Sequence, residues 1–468
     1  MTVVARDHVP LLLARRARAV AERGVGGELD AVFRTRLLDF AANVAGGAAT
    51  PASSVVGAYT SRFPGRVPSP PGGRTTAEAA ALAYGTAAHV LECDDTHQPS
   101  STHPGAVVFS AAVPLAVEIG ATVGELARAV VVGYETMCLV GEAAGPAAQY
   151  ALGFHPTGTC GVFGSATAAG ILLDLPPDRL AATLALATSV SAGSMSFLTG
   201  GGWSKLLNTG HAASAGLEVA LLANLGYEAP LEAIDRPHGF LAGHSVEPRL
   251  DVFHRADDAP TALERTSVKT HGCCRYEQGP IDAILQLRAQ RSFTADDVSS
   301  VRVGVLSAGW GLIAEGPEEK RRPATVQESQ FSMPFGAALA VVLGRASPAD
   351  HVESNLRDPA VQRVMDVVEC YRDPSLDARY PAAWPASVEI VLSDGTQLQC
   401  KVDHPRGDPE NPLSYDEVAE KLMTLAPDHA RSACDALTLL IGSAGLYELP
   451  TSAVVDALAA TWTLALDG

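Results

Sequence analysis

From Leu29 to about Leu250, apolar positions recur at helical spacing with little interruption. Leu29, Val32, Leu37, Leu38, Phe40 and Val44 form one apolar face, and the spacing predicts a helix that stops at Gly46-Gly47. Further helices are predicted over 77–91, 106–119, 123–140, 162–173, 180–192 and 206–225, each punctuated by Gly, Pro or Asp. Several are apolar nearly all round, as helices at the centre of a bundle are. Past Leu263 the period changes. Val301, Val303 and Val305 alternate with polar residues; Val388, Ile390 and Leu392 and then Leu398, Cys400 and Val402 flank Asp394-Gly395, a β-hairpin pattern. Helical spacing over 280–291, 335–343 and 359–368 falls among these strands, and from Tyr415 to Leu466 the helical period returns. The charged, Pro-rich run 404–412 marks the crossing. The pattern predicts a mainly α protein with an α+β second domain. Residues 1–264 begin a large helical domain, 265–405 form the smaller α+β unit, and 406–468 supply C-terminal helices that complete the first.

Length and composition support this division. A chain of 468 residues exceeds the usual size of a single hydrophobic core. Aromatics make up only 6% while Ala and Gly abound, which favours helices packed closely through small residues. Gly158, Gly161 and Gly164 fit that reading; a phosphate loop would need a preceding strand and a following lysine that are absent. A net charge of -18 argues against a nucleic-acid partner, which requires a basic face. Cysteines occur without CxxC, so reduced buried thiols are expected, and no close ligand spacing supports a metal. The apolar runs are broken before they could span a bilayer, and the N-terminus lacks a secretory pattern. A cytoplasmic protein without a membrane partner is expected.

Four stretches combine reactive side chains with local rigidity. In the first, the apolar segment 77–91 runs into Glu92-Cys93-Asp94-Asp95-Thr96-His97, followed by His103-Pro104-Gly105, a polar loop held between two helices. An ordinary acidic helix cap is its structural alternative. The second is His155-Pro156-Thr157, with His155 just ahead of a helix. The third is Gly200-Gly201-Gly202 followed by Lys205, which opens an apolar helix and is costly to bury without an anion, although a lysine that snorkels to water reads the same way. The fourth carries Lys269, His271 and Arg275 at the junction of the two units, a carboxylate clamp or a solvated basic turn. No GxSxG, dinucleotide fingerprint or metal triad accompanies them. Histidine, carboxylate and lysine together suit proton abstraction and return beside an anionic substrate.

The order of these blocks resembles the MmgE/PrpD family. The resemblance rests on 89–96 with His103-Pro104, His155-Pro156-Thr157 through Gly164, Lys205 with Gly210-His211-Ala212-Ala213, Lys269 with Cys274 and Asp282, and 407–413. It implies a helical domain with an inserted α+β lid, a homodimer, no cofactor and no metal, and a site between the two domains. By position, His103 resembles the family's acid/base residue, with Asp95 and Thr96 in its loop. His155, Lys205 and Lys269 resemble groups that hold substrate carboxylates and assist proton transfer. Glu92, Asp94, Thr157, Gly202, His271 and Arg275 are expected to bind substrate. The acidic loop departs from the family's Asp-aromatic-Asp-Asp by reading Glu92-Cys93-Asp94-Asp95, and its spacing to His103 is one residue longer than in the decarboxylase-like members. The expected activity is a cofactor-independent lyase removing water or carbon dioxide from a small polycarboxylate. An isomerase or epimerase using the same proton abstraction, and a catalytically silent binding protein, are the alternatives.

Overall fold

The computed structural model describes residues 8–199, 202–256 and 259–463. Gly200 and Gly201 of the triple glycine, and the end of the last predicted helix at Leu466, lie outside the described residues. The molecule is mainly α with a smaller α+β region, as the periodicity predicts. One hydrophobic core gathers residues from Val9 to Leu263 together with Val418 to Trp462 of the C-terminal helices. A second gathers residues from Cys273 to Val402. Its sheet runs in the order Val368–Arg372, Val298–Val305, Ala386–Leu392, Gln397–Val402, with the first pair parallel and the others antiparallel. Among the described residues no helix is long and apolar enough to cross a membrane.

Several element ends differ from expectation. The helix Glu28–Ala48 continues through Gly46 and Gly47 rather than stopping there. A Cβ on Gly47 would lie 1.9 Å from the Ala87 carbonyl, so these glycines admit a neighbouring helix instead of capping their own. The helix Arg275–Gln290 starts earlier than predicted, with Pro280 inside it at the cost of one backbone bond, while Pro156–Leu172 begins directly after His155, as the His155-Pro156 pattern predicts. Helices Val9–Arg23 and Pro51–Thr60 are not among the predicted elements; the first buries Val9, Leu13, Ala17 and Val20 along one face, and the second carries hydroxyls and Gly57 in place of a clear apolar period. The edge strand Val368–Arg372 follows Pro359–Asp366 where helical spacing was extended to 368.

Small residues bring the helices that matter to the site into close contact. A Cβ on Gly85 would sit 2.8 Å from Gly210 Cα, and one on Gly164 would sit 2.7 Å from Met137 Cβ. Gly158, Gly161 and Gly164 are thus packing positions. With the side chains out of the way, the helices Ala77–His89, Pro156–Leu172 and Ser204–Asn224 converge at their ends. His89 closes the first, His155 caps the second and Lys205 opens the third.

Candidate active site

The polar loop between Ala77–His89 and Pro104–Ile119 is fixed from several sides. Thr96-His97 pairs antiparallel with Thr266-Ser267, which draws the segment carrying Lys269 alongside Glu92. Lys421, from the C-terminal helix Tyr415–Leu425, donates to the carbonyls of Cys93 (2.5 Å) and Lys269 (3.0 Å) and to Asp39 Oδ1 (2.6 Å). One buried ammonium therefore ties three distant segments together. Asp95 accepts from the Gly105 amide at 2.8 Å and from the Tyr134 hydroxyl at 2.6 Å, capping the following helix. A Cβ on Gly105 would come within 2.9 Å of both Asp95 oxygens, so only glycine leaves room for that cap. Glu92 and Ser101 both adopt φ +51°, a left-handed conformation costing roughly 1 kcal/mol or more per residue, at sites the surrounding contacts hold in place.

A cavity opens beside this loop. Glu92, Thr96, His103, His155 and Lys205 line it from the helical side. Arg275, Tyr276, Leu312, Phe331 and Trp384 line it from the α+β side, with Met195 and Phe197 at the margin. Lys205 Nζ contacts the Glu92 carboxylate and stands 5.2 Å from the Phe331 ring centre and 5.9 Å from that of Phe197. Lys269, 1% exposed, backs Glu92 at 3.4 Å and Asp94 at 3.8 Å and donates to the Glu92 carbonyl at 2.9 Å. Burial alone would push the Glu92 carboxyl up, but the Lys205 and Lys269 ammoniums outweigh it and bring it down to about 2. Asp94 is likewise buried yet held well below the usual carboxylate range by His89, His103 and Lys269. Burial pushes Asp95 up to about 7, against the Tyr134 and Gly105 bonds that hold it down.

Two histidines facing the cavity are held in opposite tautomers. His103 Nδ1 lies 2.8 Å from the Asp95 carbonyl, which can only accept, so Nδ1 carries the hydrogen and Nε2 keeps a lone pair. Thr96 Oγ1, at 3.3 Å, flanks the same Nδ1 and the Thr157 hydroxyl accepts from the His103 amide at 3.2 Å. At His155 the order is reversed. Asn208 Nδ2 must donate to the Ser194 carbonyl at 3.0 Å, which fixes its amide, and its other hydrogen meets His155 Nδ1 at 3.3 Å. His155 Nδ1 therefore accepts, and its neutral ring carries hydrogen on Nε2. Both imidazoles stay neutral because burial holds them well below the ordinary histidine range; the Lys205 charge pushes the same way, and Asp94 opposes it. Between them lies His89, its Nδ1 2.7 Å from Asp94 Oδ2 and its ring centre 5.0 Å from His103 and 6.1 Å from His155.

The sequence-predicted residues thus separate. Glu92, Thr96, His103, His155, Lys205 and Arg275 face the cavity, while Asp94, Asp95, Thr157 and Lys269 stand behind it as supports. His271 bonds Asp282 at 2.9 Å and does not line the cavity, and Gly202 lines an adjoining hollow behind Phe197 and Phe331. Arg275 is held by Asp408, which also accepts from Ser267 at 2.8 Å. A Cβ on Gly407 would fall 1.9 Å from the Val268 carbonyl, so the run 407–413 is built to press against the Lys269 segment. His89, Asn208 and Lys421 were not singled out by sequence; His89 had a signal, as the one ionisable group ending an Ala-rich helix. His89, Asp94 and His103 offer atoms within 4.8 Å of one another, a spacing that admits a metal ion. Their chemistry fits one poorly, since the His89–Asp94 bond and the Asp95 carbonyl already engage these atoms and the Lys269 ammonium stands close by.

Residues 25–252 match the MmgE/PrpD N-terminal domain and residues 271–440 the MmgE/PrpD C-terminal domain. The chain is 28% identical to cis-aconitate decarboxylase of Aspergillus terreus over 372 residues, 74% of each chain. It is 27% identical to a cis-aconitate decarboxylase-like protein of Aspergillus oryzae over 408 residues, 82% of each. Human cis-aconitate decarboxylase is 26% identical over 380 residues, covering 78% of this chain and 75% of that one. With both family domains matched in order over most of its length, this chain belongs to the MmgE/PrpD family.

Proposed function

We propose that the protein is a lyase that removes water or carbon dioxide from a small carboxylic acid, with His103 and His155 handling the protons. The observation that carries this reading is the pair of opposite tautomers at one cavity. His103 Nε2 has the lone pair to take a proton from carbon, and His155 Nε2–H has the proton to give. In a dehydration, His103 removes the hydrogen next to the substrate carboxylate. The electron pair forms the double bond, and the departing hydroxyl takes its proton from His155. In a decarboxylation, the bond to the departing carboxylate breaks and its electron pair is protonated by His155. The steps use side chains alone. Lys205 and Arg275 stabilise charge that builds on the retained carboxylate. The names of the relatives support loss of carbon dioxide, and the base–acid pair supports loss of water.

An epimerase would use the same two imidazoles on opposite faces of one carbon. Proton NMR in heavy water with a panel of carboxylic acids separates the outcomes. Alkene formation or carbon dioxide release is expected; deuterium incorporation without net loss would replace the lyase by an isomerase. Absence of all three with every acid would overturn the proposal.

A further inference from the structure

Two hydroxyls that line the cavity play no part in the proton chemistry above. Ser101 Oγ and Tyr150 Oη lie 2.6 Å apart, and both residues face the same cavity as His103 and His155. Ser101 ends a tight turn. Its amide donates to the Gln98 carbonyl at 3.0 Å, and the main chains of His97 and Thr102 close the loop on each other at 2.8 and 3.3 Å. The preceding Ser100 spends its hydroxyl inside the loop, on His97 Nδ1 at 2.8 Å and Thr102 Oγ1 at 2.7 Å. Ser101 instead takes φ +51° and meets Tyr150 outside the loop. Backbone in this region persists where surrounding contacts over-determine it, and it clusters at ligand sites. Tyr150 comes from the short helix Pro146–Ala151. Burial pushes its hydroxyl above the usual tyrosine range, so it stays a neutral donor.

The hydrogens of this pair do not balance within the protein. Each oxygen carries one hydrogen, and the contact between them uses one. Whichever hydroxyl accepts keeps its own, and among the described residues neither oxygen has another hydrogen-bond partner. One donor is left over at the wall of the cavity. It is uncharged, and it offers one hydrogen bond to one oxygen. We infer that Ser101 and Tyr150 are specificity-determining residues, which together donate a hydrogen bond to a substrate oxygen outside the carboxylate met by Lys205 and Arg275. That oxygen belongs to a hydroxyl or to a further carboxylate, which share this chemistry. The inference rests on the lyase reading for its cavity and goes beyond it in naming what else the substrate must present.

Calorimetric titration of the full chain with three nested acids separates the two sources. 2-Methylbutanoate has one carboxylate, 2-methylsuccinate has a second, and citramalate adds a hydroxyl to both; weak ligands are read by displacement. Ser101→Ala and Tyr150→Phe each leave one hydroxyl with its hydrogen free. Either alone is expected to weaken the acids that carry the extra oxygen by no more than about threefold. The double variant removes both hydrogens and is expected to weaken those acids about tenfold or more, with 2-methylbutanoate changed by less than about twofold. A loss that begins at 2-methylsuccinate assigns the pair to a carboxylate; one that begins at citramalate assigns it to the hydroxyl. A merely structural pair gives a different pattern, because its mutual hydrogen bond is lost in full with either partner. Single variants as costly as the double, an equal loss on all three acids, or no loss on any would overturn the inference. If no acid binds the wild-type chain, the inference and the lyase reading fall together. An acid that binds with the expected pattern but neither exchanges nor reacts in heavy water would sink the lyase reading alone.

Discussion

The two walls of the cavity are built on opposite principles. On the helical side, ionised and hydrogen-bonding groups are packed in depth: Glu92, Asp94, Lys205 and Lys269, with three histidine rings in a row, all buried or nearly so. On the α+β side a single cation, Arg275, stands among Tyr276, Leu312, Phe331 and Trp384. A polar network behind one wall fixes protonation states, because the Nδ1 of each of the three rings has a defined neighbour. An apolar wall opposite excludes water and selects by shape, and strengthens the electrostatics it faces. The comparison assigns proton chemistry to the ionisable groups of the helical side and selection by shape to the other. It breaks if changes to those groups alter only selectivity, or if changes opposite abolish turnover.

The largest effect is expected at His103. His103→Ala removes the only imidazole in the cavity whose Nε2 is set as an acceptor, and should lower kcat roughly 10³-fold in steady-state assays of whichever acid the panel identifies. Retention of most activity would move the base elsewhere. Next comes Lys421, which does not line the cavity but is central to the wall behind it. Lys421→Met leaves Asp39 buried without its cation and frees the Cys93 and Lys269 carbonyls. A loss of about 3 kcal/mol in urea unfolding is expected. A much smaller loss would show that the loop holds its shape through the Thr96–Ser267 pairing alone.

Lys421 also shows where sequence reading stops. Its partner Asp39 is 382 positions away, and its helix has the amphipathic pattern of any surface helix, so nothing local marks it as a staple. His103, His155 and Lys205 were legible for the opposite reason. Each interrupts an apolar segment at a helix end, where an ionisable group stands out against its neighbours. The main α architecture was legible through the same periodicity. The exact ends were not, because Gly46 and Gly47 read as a stop when their function is to let Leu425 and Ala87 approach. Asn208 is invisible for a third reason: its importance lies in which hydrogen it offers, and that depends on the Ser194 carbonyl on the other side.

Asn208 acts through His155 and is a positioning residue. Asn208→Asp puts an acceptor where a donor stood, so His155 Nδ1 would keep a hydrogen and the ring would hold a proton more readily. A fall in kcat on the order of tenfold at neutral pH is expected, with a new ionisation in the pH–rate profile and KM little changed. Asn208→Ala, which removes the donor without adding charge, should cost only about twofold, because a neutral imidazole can still carry its hydrogen on Nε2. A profile identical to wild type in the Asp variant would refute the tautomer assignment.

The smallest effect on turnover is expected at Asp95, although it was grouped with the catalytic residues from sequence. Its carboxylate points to Tyr134 and Gly105, and what touches His103 is its main-chain carbonyl, which a substitution leaves in place. Asp95→Asn should therefore change kcat by no more than about twofold, since the group that sets the His103 tautomer survives. Stability is where the carboxyl should show. Burial raises its folded-state pKa to about 7, whereas an unfolded aspartate titrates near the ordinary value of about 3.9. Between these values the folded chain holds a proton that the unfolded chain has released. Unfolding then releases protons, and stability falls as pH rises through the window. Asparagine mimics the protonated carboxyl: its oxygen can accept from Gly105 while its amide donates to the Tyr134 oxygen. Urea midpoints measured between pH 4.5 and pH 7.5 should therefore fall less steeply with pH in the variant than in wild type. Equal slopes would mean that Asp95 is ionised across the whole range, and a collapse of kcat would return its carboxylate to the chemistry.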